Sequence, residues 1–275
     1  MSAETAEVDD EPEEEDADEE QVSSPTVDSL ETLIVTDTLE KTIDVASSVA
    51  FESVLRFGHH GLKICLVDPG NVYMADIHLE DGAFEAVGDG MFPAGADHTK
   101  LLDFIGKSDS EELISLAFDA ETRHLSVEFG PYERDYALID PDSIRREPDL
   151  PEIDLPNVFE IDAKTLKEVV DVSELVSDHV SIEGDPNDEC IRIVADGDID
   201  TTTATLDDEL GFADVQKEAA SFISLDYLSD AVAVIPKTST VEVQFGEEFP
   251  VRLQWDYADG HGHVEQIIAP RIQSQ

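Results

Sequence analysis

Two amphipathic segments, TLEKTIDVASSV at 38–49 and TLKEVVDVSELV at 165–176, stand 127 residues apart. They share an opening Thr-Leu, an Asp-Val at the seventh and eighth positions, and a closing Val. In each, apolar residues recur at the spacing of a helix with one buried face: Leu39, Ile43, Ala46, Ala50, and then Leu166, Val169, Val170, Ser173, Val176. The echo continues beyond the pair. The helical pattern KLLDFIGK (100–107) is followed about 126 residues later by YLSDAVAVI (227–235), and the strand pattern LISLAF (113–118) has its counterpart 127 residues on in TVEVQF (240–245). Solenoid repeats run about 20–50 residues, so a period this long is a duplicated domain. Such a chain must fold the same unit twice.

Between these helices the pattern is that of short strands. Alternation is clear in LSVEF (125–129), VEVQF (241–245) and VRLQW (251–255). LKICLVD and VYMADIHL flank Pro69-Gly70-Asn71 and read as a hairpin. Between the copies, LIDPDSIRREPDLPEIDLP has four prolines and little periodicity, which reads as an extended linker. Residues 1–28 hold 13 acids and no Lys or Arg, the composition of a disordered tail.

The whole chain has 66 acids against 16 bases, a formal charge of −50, and the body without its tail still has 53 acids against those 16 bases. Self-repulsion opposes compaction. At about 1 M salt the screening length is only about 3 Å, so this composition suits a salt-saturated cytoplasm and says little about partners. Cys65 and Cys190 are the only cysteines and form no CxxC, which points to neither a disulfide framework nor a zinc site. No apolar run approaches 18 residues and no signal peptide opens the chain, so the expectation is a soluble, cytoplasmic protein with no membrane partner.

The hairpin LKICLVDPGNVYMADIHL, the block YALIDPDSIRREPDLP, the run FISLDYLSDAVAVIPKTSTVEVQFGEEFPVRLQW and IIAPRI near the end resemble, in this order, the proliferating cell nuclear antigen family. These are the DNA sliding clamps of archaea and eukaryotes, and the acidic cast is similar to clamps of halophilic archaea. The resemblance covers roughly residues 29–275. It implies an α+β fold of duplicated clamp domains, 29–139 and 157–275, each with two helices on antiparallel sheets, joined by a connector at 140–156. It further implies a trimeric ring around duplex DNA, with sheet edges pairing near Tyr132–Ile139 and Asp200–Leu206. The partners implied are double-stranded DNA without sequence preference, a clamp loader, and DNA polymerase, flap endonuclease and ligase bound through short motifs.

By position in the family, Lys41, Lys100 and Lys167 match or neighbour basic channel residues, with Lys107 and Lys164 nearby, while Asp103, Asp171 and Asp226 fall where relatives tend to carry bases. The client pocket maps to Val67, Leu150, Pro151, Pro250, Ile267, Ala269 and Pro270; Ile267 stands where some relatives have an aromatic. A specialised or viral clamp with restricted clients, or one subunit of a heterotrimer, remains an alternative within the family. Outside it stand a halophilic enzyme and an acidic DNA mimic.

Chemistry of its own is not in view. There is no nucleophile elbow, P-loop, HExxH or dinucleotide fingerprint, so the reading is a scaffold without catalysis or cofactor. His59-His60 and His261-Gly262-His263 lie in turn-like sequence without a Cys or Glu at ligand spacing, and read as solvated loops. Asp196-Gly197-Asp198-Ile199-Asp200 begins like a calcium loop, but Thr201 stands where that loop needs Gly. No metal site is expected at the histidines, and Asp196–Asp200 reads as a solvated turn, with a cation loosely held in brine as the alternative.

Overall fold

The structure, a computed structural model, describes residues 29–88, 90–150, 153–188, 190–207 and 210–271. The acidic segment 1–28 and Pro151 lie outside them. The first half runs β1 (Ser29–Val35), α1 (Thr36–Val49), β2 (Glu52–Gly58), β3 (Gly61–Val67), β4 (Tyr73–Glu80), β5 (Phe84–Val87), β6 (Met91–Asp97), α2 (His98–Ile105), β7 (Leu113–Asp119), β8 (His124–Phe129) and β9 (Tyr132–Ala137). The second half repeats that order: β10 (Asn157–Asp162), α3 (Ala163–Ser173), β11 (His179–Gly184), β12 (Ile191–Asp196), β13 (Thr201–Leu206), β14 (Leu210–Val215), β15 (Ala219–Ser224), α4 (Leu225–Ala233), β16 (Thr240–Phe245), β17 (Val251–Tyr257) and β18 (Gly262–Ile268). The 127-residue echo is therefore an echo of the whole topology.

The two expected amphipathic helices form, with different lengths. On α1 the periodic residues Leu39, Ile43 and Ala46 are fully buried, joined by Val45 and Val49, and Ala50 caps the end in an extended conformation. In α3 only Ala163, Leu166, Val170 and Ser173 are buried, and the helix stops at Ser173, three residues short of the matching sequence. The Ser173 hydroxyl donates back to the Val169 carbonyl, and the amides of Leu175, Val176 and Ser177 close tight turns onto Val172 and Ser173. With Leu175 83% exposed, no core rewards a further helical turn. Asp97 caps α2 by accepting the Lys100 amide.

Three antiparallel sheets carry the strands, in the orders β5-β1-β7-β8-β9, β14-β10-β16-β17-β18-β4-β3-β2-β6, and β13-β12-β11-β15. The long sheet joins the halves, because β18 of the second pairs with β4 of the first through seven residues, from Gly262–Leu79 to Ile268–Tyr73. On the helical side α2 packs on α1, α1 on α4, and α4 on α3, so the helices form one continuous layer. The connector contains a 3-10 turn at Pro141–Ser143, with the Asp140 carboxylate accepting the Asp142 amide, so it is less extended than its prolines suggest.

The joint between the halves has a polar interior. Trp255 Nε1 donates to Gln266 Oε1 at 3.0 Å, and Gln266 Nε2 donates to the Tyr73 hydroxyl at 2.6 Å and to the Ala231 carbonyl at 3.2 Å. Tyr73 in turn meets the Ser48 hydroxyl at 3.0 Å. Gln266 is wholly buried and Tyr73 nearly so, and burial pushes the Tyr73 phenol up to about 12. Misalignment of this pairing would orphan these groups, each at roughly 1–3 kcal/mol. The network therefore holds the register.

Candidate functional surfaces

The five lysines expected to face DNA fall on or next to the helical layer, in two electrostatic situations. Lys41 pairs with Asp37 at 2.6 Å, Lys100 with Asp97 at 2.9 Å and Lys164 with Glu168 at 3.6 Å, each within its own helix or cap. Lys107 and Lys167 have no carboxylate partner among the described residues. Exposed pairs of this kind are worth about 0–1 kcal/mol, so a phosphate could displace those carboxylates at little cost. The rest of the layer is acidic. Burial and the nearby Glu40 raise the Asp44 carboxyl above its usual range, and burial, Asp226 and Glu174 do the same for Asp230. Lys237, exposed in the turn after α4 much as Lys107 follows α2, was missed by sequence reading; a basic residue just past the last helix was the available signal.

Of the residues expected to form a client pocket, the long sheet aligns Val67 and Ile267. Val67 opposes Met74, Met74 opposes Ile267, and Ile267 opposes Arg252, which places them in one row across β3, β4, β18 and β17. Ile267 is 4% exposed, while Val67, Leu150, Pro250, Ala269 and Pro270 are half-buried. Ala269 is tied to the hairpin by its amide, which donates to the Val72 carbonyl at 2.8 Å. Val67 also lines a cavity of about 560 Å³ that opens between the start of β2 and the end of β3, beneath Ile144–Glu147 of the connector.

What holds the connector over this region was not visible in sequence. Arg145 donates through one guanidinium nitrogen to the Asp68 carbonyl at 2.7 Å and through another to Asn71 Oδ1. Arg56 reaches Glu147 at 2.7 Å, the Cys65 thiol reaches the Pro148 carbonyl at 3.6 Å, and Arg252 reaches the Ile153 carbonyl at 3.4 Å. Burial pushes that thiol up to about 12, so Cys65 stays protonated and packs as a small apolar group. Asp68 organises the hairpin itself: burial alone would raise its pKa, but the amides of Tyr73, Val72 and Gly70 and the Tyr227 hydroxyl bring it below the usual range. Asn71 takes a positive φ of 57°, a conformation Asn tolerates.

The histidines have acidic partners that local spacing does not reveal. His261 and His263 do have a Glu partner: Glu80, on β4, lies 3.1 Å from His261 Nδ1 and 3.5 Å from His263 Nε2, and Asp256 lies 2.7 Å from His263 Nδ1. Glu80 is 181 residues from His261, so no local spacing could reveal it. Among the described residues no group of three or more His, Cys, Asp or Glu side chains is arranged to hold a metal ion. Asp196–Asp200 forms a tight turn closed by the Gly197 amide on the Asp200 carbonyl. Among the described residues no helix is long and apolar enough to cross a membrane.

Comparison with known proteins agrees with this architecture. No family model matches the chain. The DNA polymerase sliding clamp of Natronomonas pharaonis is 40% identical over 242 residues, which cover 88% of this chain and 98% of that protein. The sliding clamp of Halobacterium salinarum is 39% identical over 243 residues, with the same coverage. Among solved structures, that of the C-terminal region of FEN-1 bound to A. fulgidus PCNA matches with a TM-score of 0.83 at 31% identity, covering 90% of this chain and all of that one. PCNA of Thermococcus kodakaraensis shares the fold at a TM-score of 0.79 and 22% identity, over 88% of this chain. A duplicated α+β unit, a continuous helical layer and relatives that match across nearly their full length place this chain in the DNA polymerase sliding-clamp family.

Proposed function

We propose that the chain is a processivity clamp: a scaffold without catalysis that closes as a trimer around duplex DNA and tethers replication and repair proteins to it. The observation that carries this reading is the relation between the joint inside the chain and the two ends of its sheets. Within the chain, the last strand of the second unit, β18, pairs with the fourth strand of the first, β4. Their topological equivalents, β9 and β13, each lie at the edge of a sheet. An unpaired edge invites pairing, and a head-to-tail contact repeated between copies closes into a ring when the rotation permits.

The helical layer would then face the channel, with Lys41, Lys100, Lys107, Lys164 and Lys167 toward phosphates. Phosphate contacts weaken steeply with salt, and the layer is rich in carboxylates, so retention would rest on closure rather than grip. The pieces 29–139, 140–156 and 157–275 would act as two clamp domains and a connector. The client pocket at Val67, Leu150, Pro151, Pro250, Ile267, Ala269 and Pro270 would take a short motif with an aromatic anchor. The FEN-1 peptide on A. fulgidus PCNA supports a flap endonuclease among the clients, with polymerase and ligase using the same site and an ATP-driven loader opening the ring. Light scattering at molar salt together with a pull-down by a client-motif peptide tests this. A trimer mass and capture lost on Pro270→Ala and Leu150→Ala are expected; a monomer mass would sink the ring.

A further inference from the structure

The internal joint also predicts which side chains meet when two copies associate; this rests on the ring reading above. Residue equivalence between the halves can be read from strand register. Val67 opposes Met74 as Asp196 opposes Thr201, and the hydrogen bond from the Asp68 amide to the Tyr73 carbonyl has its twin, also 2.8 Å, from the Gly197 amide to the Asp200 carbonyl. Tyr73 thus corresponds to Asp200, and Ala75 to Thr202. On the other strand, Leu116 opposes Val127 as the equivalent β16 and β17 pair at Val243–Leu253, and Phe129 opposes Tyr132 as Trp255 opposes Val264. Gln266 therefore corresponds to Arg134. Its surroundings agree: Gln266 bonds to Ala231 on α4, and the Arg134 guanidinium stands 5.8 Å from the ring of Phe104, the matching residue of α2.

We propose that Arg134 of one copy pairs with Asp200 of the next, in place of the Gln266–Tyr73 hydrogen bond of the internal joint, with β9 and β13 aligned so that Tyr132 opposes Ala204, Arg134 opposes Thr202 and Tyr136 opposes Asp200. Arg134 is held ready for this. It stacks 4.7 Å from the Tyr136 ring centroid and has no carboxylate partner among the described residues. Asp200 is exposed and flanked by Ile199, 93% exposed. Leu175 corresponds to Ser48 and Val172 to Val45, and both lie exposed at the same end, 83% and 48%. A guanidinium on aromatic rings at one end and a carboxylate beside an apolar patch at the other make the chain complementary to itself. The partner is a second copy of this chain rather than a divergent subunit.

Two experiments test it on the full-length protein. Glu133→Cys combined with Thr203→Cys, opposed in this register, should cross-link copies on oxidation, because antiparallel partners lie about 4.5–5.5 Å apart, within disulfide reach. Glu133→Cys with Thr201→Cys, two residues out of register, should not, and the parent with Cys65 and Cys190 alone sets the background. Arg134→Asp and Asp200→Arg should each raise the dissociation constant on the order of tenfold or more, while the double swap restores assembly. Off-register cross-linking, or a double swap no better than either single, overturns the pairing while leaving the ring standing. A parent that is monomeric overturns the ring itself, and the pairing with it.

Discussion

The joint within the chain and the two open ends share strand order and helix placement, yet differ in what they bury. At the joint, α1 lies between its own sheet and α4, and Val45 is 0% exposed. At the open end, the matching Val172 of α3 is 48% exposed and Leu175 beside it 83%. The joint seals itself with a neutral hydrogen-bonded chain, Trp255–Gln266–Tyr73–Ser48, whereas the ends present Arg134 and Asp200. A contact made once, during folding, can rely on neutral groups locked in place. A contact between separate copies, which can part again, is better served by groups that tolerate water when parted.

That comparison can be broken at matched positions. Val45→Asp should cost on the order of 4 kcal/mol or more, since it buries an unpaired charge, and denaturant unfolding would measure it. Val172→Asp should leave unfolding of the single chain nearly unchanged and instead reduce the assembled mass. Equal loss of stability for both would mean that Val172 is packed as tightly in the single chain as Val45 is at the joint. Next in size, Gln266→Ala should destabilise the fold by roughly 2–5 kcal/mol, by leaving Tyr73 and Trp255 short of partners around a cavity. Arg134→Ala should fall within about 0.5 kcal/mol for the monomeric fold, because an exposed stacked cation adds little there.

Smaller effects are expected at the connector and the histidines. Arg145→Ala removes the donor that fastens the connector to Asp68 and Asn71, so a client-motif peptide should bind severalfold more weakly with little change in melting temperature. At the joint, hydrogen bonding to Asp256, against an opposing burial effect, holds the His263 imidazole above its ordinary pKa of 6.5, and Glu80 and Asp256 add charge attraction. The same contacts with His261 and His263 hold Glu80 below its ordinary 4.5. The histidine contribution is therefore complete below about pH 6.5 and fades as pH rises through the raised value. The Glu80 contribution is complete above about 4.5 and fades as pH falls through its lowered value. The bridge is strongest between those limits, so the melting temperature of wild type should exceed that of His263→Gln at pH 6 and converge with it by pH 9.

The features legible in sequence were the local and repeated ones. Leu39, Ile43 and Ala46 announced a helix because spacing of three and four is a property of neighbouring residues, and the second copy at Leu166 and Val170 doubled the signal. The pairing of Lys41 with Asp37 was equally available, at four residues' separation, and tempers the count of free positive charge on the helical layer. Contacts made by sheet pairing could not be read this way. Gln266 reaches Tyr73 across 193 residues and His261 reaches Glu80 across 181, so neither has a local signature. Arg145 has no local signature in the proline-rich linker; only the fold brings the hairpin carbonyl of Asp68 within its reach. The early stop of α3 also depends on context, since Leu175 is 83% exposed among the described residues.

Release from DNA measures topological retention directly. Protein loaded on a closed circle should stay bound through a high-salt wash and leave promptly once the circle is cut. Dissociation at the same rate from cut and uncut DNA would contradict a ring closed by β9 and β13 and return the lysines to ordinary surface binding.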